Sequence, residues 1–245
     1  MKSKSLYNGL FLFLILCLNA CKPSAEGIIN ECIEVYGGKK YNNFDISLEF
    51  RNMQYSFKNQ NGKYSNSRVQ MDSSGKKIED IVSNDGFERK IGGLKVQVAD
   101  TMVAKYSNSI NSVVYFFLLP KPLNDLAVHK QLIGTSTIKG KTYDKIKVRF
   151  DEQGGGKDHN DVFLYWIEQK TKAMDYFAYS YETNGGGIRF REAVNCKTEN
   201  GIKFCDYKNY GFEDLNTQLE DLDKLFEADK IPLKSEIINL NVKIK

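Results

Sequence analysis

The 245-residue chain carries 35 Lys and Arg against 31 Asp and Glu, a formal net charge of +4, and only two histidines. The two signs of charge are interleaved, so no basic patch of the kind that grips nucleic acid emerges, and nucleic acid is excluded as a partner. Fourteen Tyr and fifteen Phe beside only four Pro are a composition suited to long strands of sheet.

The first twenty residues read as an export signal. Lys2 and Lys4 form a short positive region and Leu10 to Leu16 an unbroken apolar run, far shorter than the ~20 residues that span a bilayer. Leu18-Asn19-Ala20-Cys21 resembles the lipobox of bacterial lipoproteins, which implies cleavage before Cys21, a diacylglycerol on its sulfur and acylation of the freed amine. Cys17 lacks a small residue before it and is not read as a lipid site. Lys22-Pro23-Ser24 follows as a tether, and no aspartate stands after Cys21, which points to the outer membrane of a two-membrane cell. The expected layout is a signal peptide at 1–20, a lipidated tether at 21–24 and one domain at 25–245. Removal of 1–20 takes two lysines and no acids, leaving 33 cations against 31 acids, a nearly neutral domain.

Along that domain, Ile28, Ile29, Cys32, Ile33 and Tyr36 fall at helical spacing over 25–36, and Gly37-Gly38 ends the helix. The period then becomes two: Phe44, Ile46, Leu48 and Phe50, slipping by one to Met53, Tyr55 and Phe57. A β-bulge near Arg51-Asn52, bending one long strand, accounts for such a slip. Further strands are expected near 63–72, 76–84, 86–92, 94–99, 131–139, 142–152, 160–168, 173–182, 187–197, 202–211 and 234–244, joined mostly by short Gly-, Asn- and Asp-rich turns into an antiparallel meander. Residues 111–119, opening at Asn111-Ser112 and apolar from Val113 to Leu119, are expected as a short buried helix. An amphipathic helix with an acidic outer face is expected over 213–228. The fold class is therefore mainly β: a highly curved antiparallel sheet or half-barrel with helices on its concave side.

Asn200-Gly201 is a strong two-residue hairpin signal. With those residues as the turn, Glu199 faces Ile202, Lys197 faces Phe204 and Cys196 faces Cys205 at a non-hydrogen-bonded pair, where side chains are closest. A Cys196–Cys205 disulfide is then geometrically feasible. The alternative is two reduced thiols, which a one-residue register shift or a reducing compartment would give. Cys32 is left as a free, buried thiol.

No catalytic constellation, cofactor or metal is expected. Neither His129 nor His159 has a partner at metal-ligand spacing on a recognisable helix, and Asp158-His159-Asn160-Asp161 reads better as a polar turn than as a cation site. The triplets Gly154-Gly155-Gly156 and Gly185-Gly186-Gly187 lead into no helix and read as turns rather than phosphate loops. Arg189 and Arg191 share one face of a strand, with Ile188 and Phe190 on the other. Such arginines usually decorate the solvent side; the alternative is a cavity-side ion pair with Asp161 or Asp175.

Several strings carry a family resemblance: Tyr41-Asn42-Asn43, Phe50-Arg51, Asn111 to Phe116, Leu123-Asn124-Asp125, Tyr165-Trp166 and Gly186 to Arg191. Together, over nearly the whole mature chain, they resemble a family of uncharacterised bacterial lipoproteins classed as a domain of unknown function, which implies no activity or catalytic residues. In element order the chain is also similar to the LolA/LolB-like lipoprotein-carrier fold, whose half-barrel encloses an apolar cavity for acyl chains. That resemblance implies a ligand cavity lined by Val113, Phe116, Phe117, Trp166 and Phe190. The function expected is a membrane-anchored lipoprotein, held through its N-terminal lipid, that binds a lipid or lipoprotein acyl chain. A structural or interaction lipoprotein with a packed core is the alternative, and a cryptic hydrolase the third reading.

Overall fold

A computed structural model describes residues 23–153, 160–182, 185–212 and 216–245. Residues 1–22, with the expected signal peptide and Cys21, and the 154–159 segment with its Gly triplet and His159 lie outside the described residues. The helix α1 (Ala25–Tyr36) leads the domain, its first turn capped by Ser24 Oγ, which accepts from the Gly27 amide. Ile28, Ile29, Cys32 and Tyr36 are buried beneath it, the stripe that helical spacing predicts.

Two seven-stranded antiparallel sheets follow, neither closed into a barrel. Sheet I consists of β1 (Asn43–Phe50), β2 (Met53–Gln60), β3 (Lys63–Met71), β4 (Lys77–Ser83), β5 (Gly86–Ile91), β6 (Leu94–Val96) and the C-terminal β14 (Leu240–Ile244). Its order is β14-β1-β2-β3-β4-β5-β6. After α2 (Asp100–Leu118), sheet II is laid down as β7 (Val128–Ile138), β8 (Lys141–Phe150), β9 (Val162–Glu168), β10 (Met174–Tyr181), β11 (Gly187–Glu199), β12 (Ile202–Phe212) and β13 (Leu233–Ile237). Its order is β13-β12-β11-β10-β9-β8-β7, a simple meander. The short α3 (Leu222–Glu227) sits between β12 and β13. The mainly-β, helix-lined class expected from sequence is the class observed, divided between two sheets.

Four local expectations are corrected. Residues 44–57 are a hairpin, not one bulged strand: Phe50 pairs with Met53, and both Arg51 and Asn52 have positive φ. A two-residue turn puts residues three apart on the same face, so it produces the same phase slip as a bulge. The 234–244 strand is two strands, β13 on the edge of sheet II and β14 on the edge of sheet I. The helix at 111–119 is the last part of α2, which begins eleven residues earlier at Asp100 with no side-chain cap. The helix at 213–228 is confined to α3, after a single 3-10 turn at Leu219–Asp221; residues 213–215 lie outside the described residues.

The Asn200-Gly201 turn gives the expected register, Glu199 with Ile202 and Lys197 with Phe204. Cys196 and Cys205 are disulfide-bonded. Just beyond them the ladder shifts by one, between Lys197 and Val194, with Asn195 at positive φ. Cys32 is free and buried.

One apolar core fills the space between the sheets. It joins Ile46, Leu48 and Phe57 of sheet I to Tyr165, Phe177 and Tyr207 of sheet II, with α1 and the end of α2 inserted. Phe117 of α2 is the wedge, its ring edge-on to Phe57 and stacked on Phe204. A second core covers the opposite face of sheet II, where Trp166, Tyr176 and Phe190 pack under Leu222 and Phe226 of α3. Lys145 fastens this layer, bonding Asp223 at 3.0 Å and the Glu220 carbonyl. Sheet II is thus covered on both faces, as six consecutive buried residues in β9 require.

Candidate functional site

A half-open cavity of about 310 Å³ lies where the β1–β2 turn, the middle of α2, the inner face of sheet II and the β13–β14 crossing meet. Its volume is at the lower end of the roughly 300–1,000 Å³ typical of small-molecule sites. Each wall follows from a local rule. On α2, Ser109, Ser112, Val113 and Phe116 line it at i, i+3, i+4 and i+7, one helical face. The β1–β2 turn supplies Phe50, Arg51, Met53 and Tyr55, and sheet II supplies Tyr179, Arg191 and Tyr207. The crossing supplies Ile237 and Asn239. Asn239 is fixed there because its amide donates to Asp206 Oδ1 at 2.9 Å and its side chain to the Cys205 carbonyl.

The aromatic wall is continuous. Phe116 stacks on Phe177 with centroids 5.8 Å apart and tilts against Tyr179 at 5.6 Å. Tyr115, one residue back, shares a 2.9 Å hydroxyl contact with Tyr165, pinning this part of α2 to β9. Burial pushes both of these phenols above their ordinary pKa, so they stay neutral. Burial raises Tyr207 as well, partly opposed by the positive charge of Arg191.

Arg191 is the polar centre of the wall. It is 9 % exposed, so the solvent-side expectation for it is corrected. Its guanidinium lies 4.2 Å from the Phe116 centroid and 5.3 Å from those of Phe177 and Tyr179. Nη2 donates to the Tyr179 hydroxyl at 2.8 Å. Nε is buried with no hydrogen-bond partner among the described residues. Nor does Arg191 make the alternative ion pair with Asp175: that carboxylate accepts from Tyr143 Oη at 2.9 Å and from Lys141 at 3.2 Å.

Of the five residues expected to line a cavity, Val113, Phe116 and Phe117 do so. Trp166 and Phe190 do not: they belong to the second core, on the far face of sheet II, with Phe190 4.8 Å from Phe226. Sequence reasoning missed Phe50, Met53, Tyr179 and Arg191. Arg191 carried a signal, since it alternates with Phe190, but phase alone does not say which face of a doubly covered sheet is which.

A second, more open depression is lined by Thr135, Ser136, Thr137, Lys145, Asp223 and Glu227, among others. Most of its lining side chains are polar or charged, the Lys145–Asp223 pair among them. His129 is at the surface, bonded to Asp151 at 2.7 Å. Among the described residues no group of three or more His, Cys, Asp or Glu stands close enough to hold a metal ion. Nor is any helix of the described residues long and apolar enough to cross a membrane.

Residues 5–239 match a family of unknown function, DUF6503. Among curated proteins no match was found. The solved structures to which the chain is similar include a LolA superfamily protein from Nitrosomonas europaea, at 8% identity over 91% of each chain with a TM-score of 0.46. A DUF1329 family protein from Desulfovibrio piger aligns at 6% identity over 91% of this chain and 92% of that one, TM-score 0.38. The lipoprotein LppX from Mycobacterium tuberculosis aligns at 14% identity over 67% of this chain and 92% of that one, TM-score 0.30.

Proposed function

Because the chain belongs to DUF6503, a family of unknown function that hands down no activity, we propose from its own residues that it is a lipid-anchored envelope protein holding a hydrophobic ligand between its two sheets. One observation carries the ligand reading: the 310 Å³ half-open cavity walled by Phe50, Met53, Val113, Phe116 and Tyr179. The apolar part of these walls gains from covering an apolar guest at ~25 cal/mol per Å² removed from water. A volume at the low end of the ligand range suits one acyl chain rather than the several chains of a lipoprotein anchor.

The anchor rests on the leader. Lys2, Lys4, the Leu10 to Leu16 run and Leu18-Asn19-Ala20-Cys21 support export, cleavage and lipidation of Cys21, with Lys22 in place of an aspartate supporting the outer membrane. The Cys196–Cys205 disulfide is consistent with an oxidising compartment. A two- or three-chain anchor binds membrane stably without help from the domain, leaving the cavity free for another lipid. The reading is of a binding protein, not an enzyme.

Mass spectrometry of lipids co-purified with the native protein, against a delipidated control, tests the ligand. A stoichiometric single-chain amphiphile is expected; a protein that repeatedly emerges empty and takes up no apolar probe would favour a surface-interaction role. For the anchor, Cys21→Ser should release a folded, soluble domain, and continued membrane association of that variant would disprove the division of labour.

A further inference from the structure

We infer that the cavity takes an amphiphile with a carboxylate headgroup, and that Arg191 receives it. The inference rests on the reading of the cavity as a ligand site and adds the chemical class of the ligand. Three observations carry it. First, Arg191 is nine-tenths buried, lines the cavity, and leaves Nε–H without a partner. The aromatic rings of Phe116, Phe177 and Tyr179 surround the guanidinium and attract its charge. A buried donor left open costs ~1–3 kcal/mol, more when charged; Arg68 Nε is open in the same way, so what sets Arg191 apart is its place on the cavity wall.

Second, among the described residues no carboxylate forms an ion pair with this charge. Among the described residues its hydrogen bond goes to the Tyr179 hydroxyl. The buried arginines of sheet I are treated otherwise: Arg68 and Arg89 share Asp80 at 2.8 Å and 2.5 Å. Among the residues lining the cavity Arg51 is a second cation, and no Asp or Glu accompanies the two. In a chain whose total charge is close to balanced, this pocket is selectively positive.

Third, the geometry suits a planar anion on one tail. A guanidinium edge presents parallel donors that match a carboxylate's two oxygens. Around it Val113, Phe116, Phe117 and Met53 provide apolar contact for a chain. The limited volume argues against a multi-chain phospholipid.

Isothermal titration of the folded, delipidated wild type with dodecanoic acid, dodecanol and dodecyl phosphate at neutral pH tests this. The acid should bind about tenfold tighter than the alcohol or better, and at least as tightly as the phosphate. In Arg191→Gln the acid and alcohol should bind alike, while Arg191→Lys should keep part of the preference. Equal binding of acid and alcohol by the wild type overturns the role of Arg191 yet leaves the cavity reading intact. Clear preference for the phosphate overturns the carboxylate assignment. If no probe binds, the cavity reading itself falls. Should Arg191→Gln fail to fold, wild-type titrations at falling pH decide: protonating dodecanoic acid should erase its advantage over the alcohol, and an advantage that persists rejects the inference.

Discussion

The two sheets solve the problem of burial differently. Sheet II is apolar on both faces, pressed by α1, α2 and sheet I on one side and by α3 on the other. Sheet I is apolar only near β1 and β2. Its outer strands β5 and β6 contain no fully buried residue, and the first half of α2 is joined to this part of the sheet by charge. Asp80, 1% exposed, accepts from both Arg68 and Arg89. Arg68 also donates to Ser109 of α2, and Arg89 lies 3.6 Å over the Tyr106 ring, which itself stacks on Phe87. Apolar packing holds without regard to direction, whereas a buried charge cluster depends on every partner. Sheet II is therefore the frame, and the outer part of sheet I with the first half of α2 is the region able to loosen beside the cavity.

That contrast can be broken by experiment. Trp166→Ala, in the frame, should cost ~3–5 kcal/mol in urea unfolding and lower the stability of the whole domain. Asp80→Ala should cost about 3 kcal/mol by leaving buried Arg68 and half-buried Arg89 without their shared carboxylate. Its effect should be regional: hydrogen exchange should quicken in β3–β5 and the first half of α2, with β8–β10 still protected. Equal loss of protection in both sheets would refute the division. Burial alone would raise the Asp80 carboxyl, but its hydrogen bonds and charge pairing with Arg89 and Arg68 outweigh this and hold it below the ordinary carboxylate value. Its stabilising contribution is thus complete above the unfolded value near ~4 and is lost as pH falls through the depressed folded one. Acid should loosen sheet I in the wild type, while Asp80→Asn should lack that acid-dependent component.

Replacing both Cys196 and Cys205 by Ser should cost about 2–3 kcal/mol, since the bond closes a short loop. Thermal unfolding with and without reductant would measure it, and the variant should be indifferent to the reductant. Tyr106→Leu should show the smallest effect, about 1 kcal/mol from the lost stacking and cation–π contact. It should appear as faster exchange in the first half of α2 with no change around Trp166, whose indole is the only one in the chain.

Legibility in the sequence followed the same divide between local and global information. Turns such as Asn200-Gly201 and the alternation of β1 and β11 are local, so strand positions and the disulfide register could be read directly. The Arg51-Asn52 turn was misread because it lacks Gly and its phase slip matches that of a bulge. The crossing at Ile238-Asn239 was invisible because alternation continues through it. The first half of α2, Asp100 to Ile110, has neither a side-chain cap nor a strong apolar stripe; it becomes a helix over the Arg68–Asp80–Arg89 cluster. Trp166 is placed on the far side because both faces of β9 are apolar, and Phe190 because the apolar face of β11 turns toward α3 rather than the cavity. Arg191 drew attention as a strand arginine, but its burial depends on α2 laying Phe116 across it.

The crossing between β13 and β14 also sets an order in time. Ile46 finds its edge partner only in Ile244, and Asp45 exchanges backbone hydrogen bonds with Lys245. Strand β1 thus waits for a partner roughly 200 residues further along, a long-range closure that is correspondingly slow. Until then β1 presents an unpaired edge, and Ile237 and Asn239 are missing from the cavity wall. The cavity wall is therefore complete only once the β13–β14 crossing has docked between the two sheets.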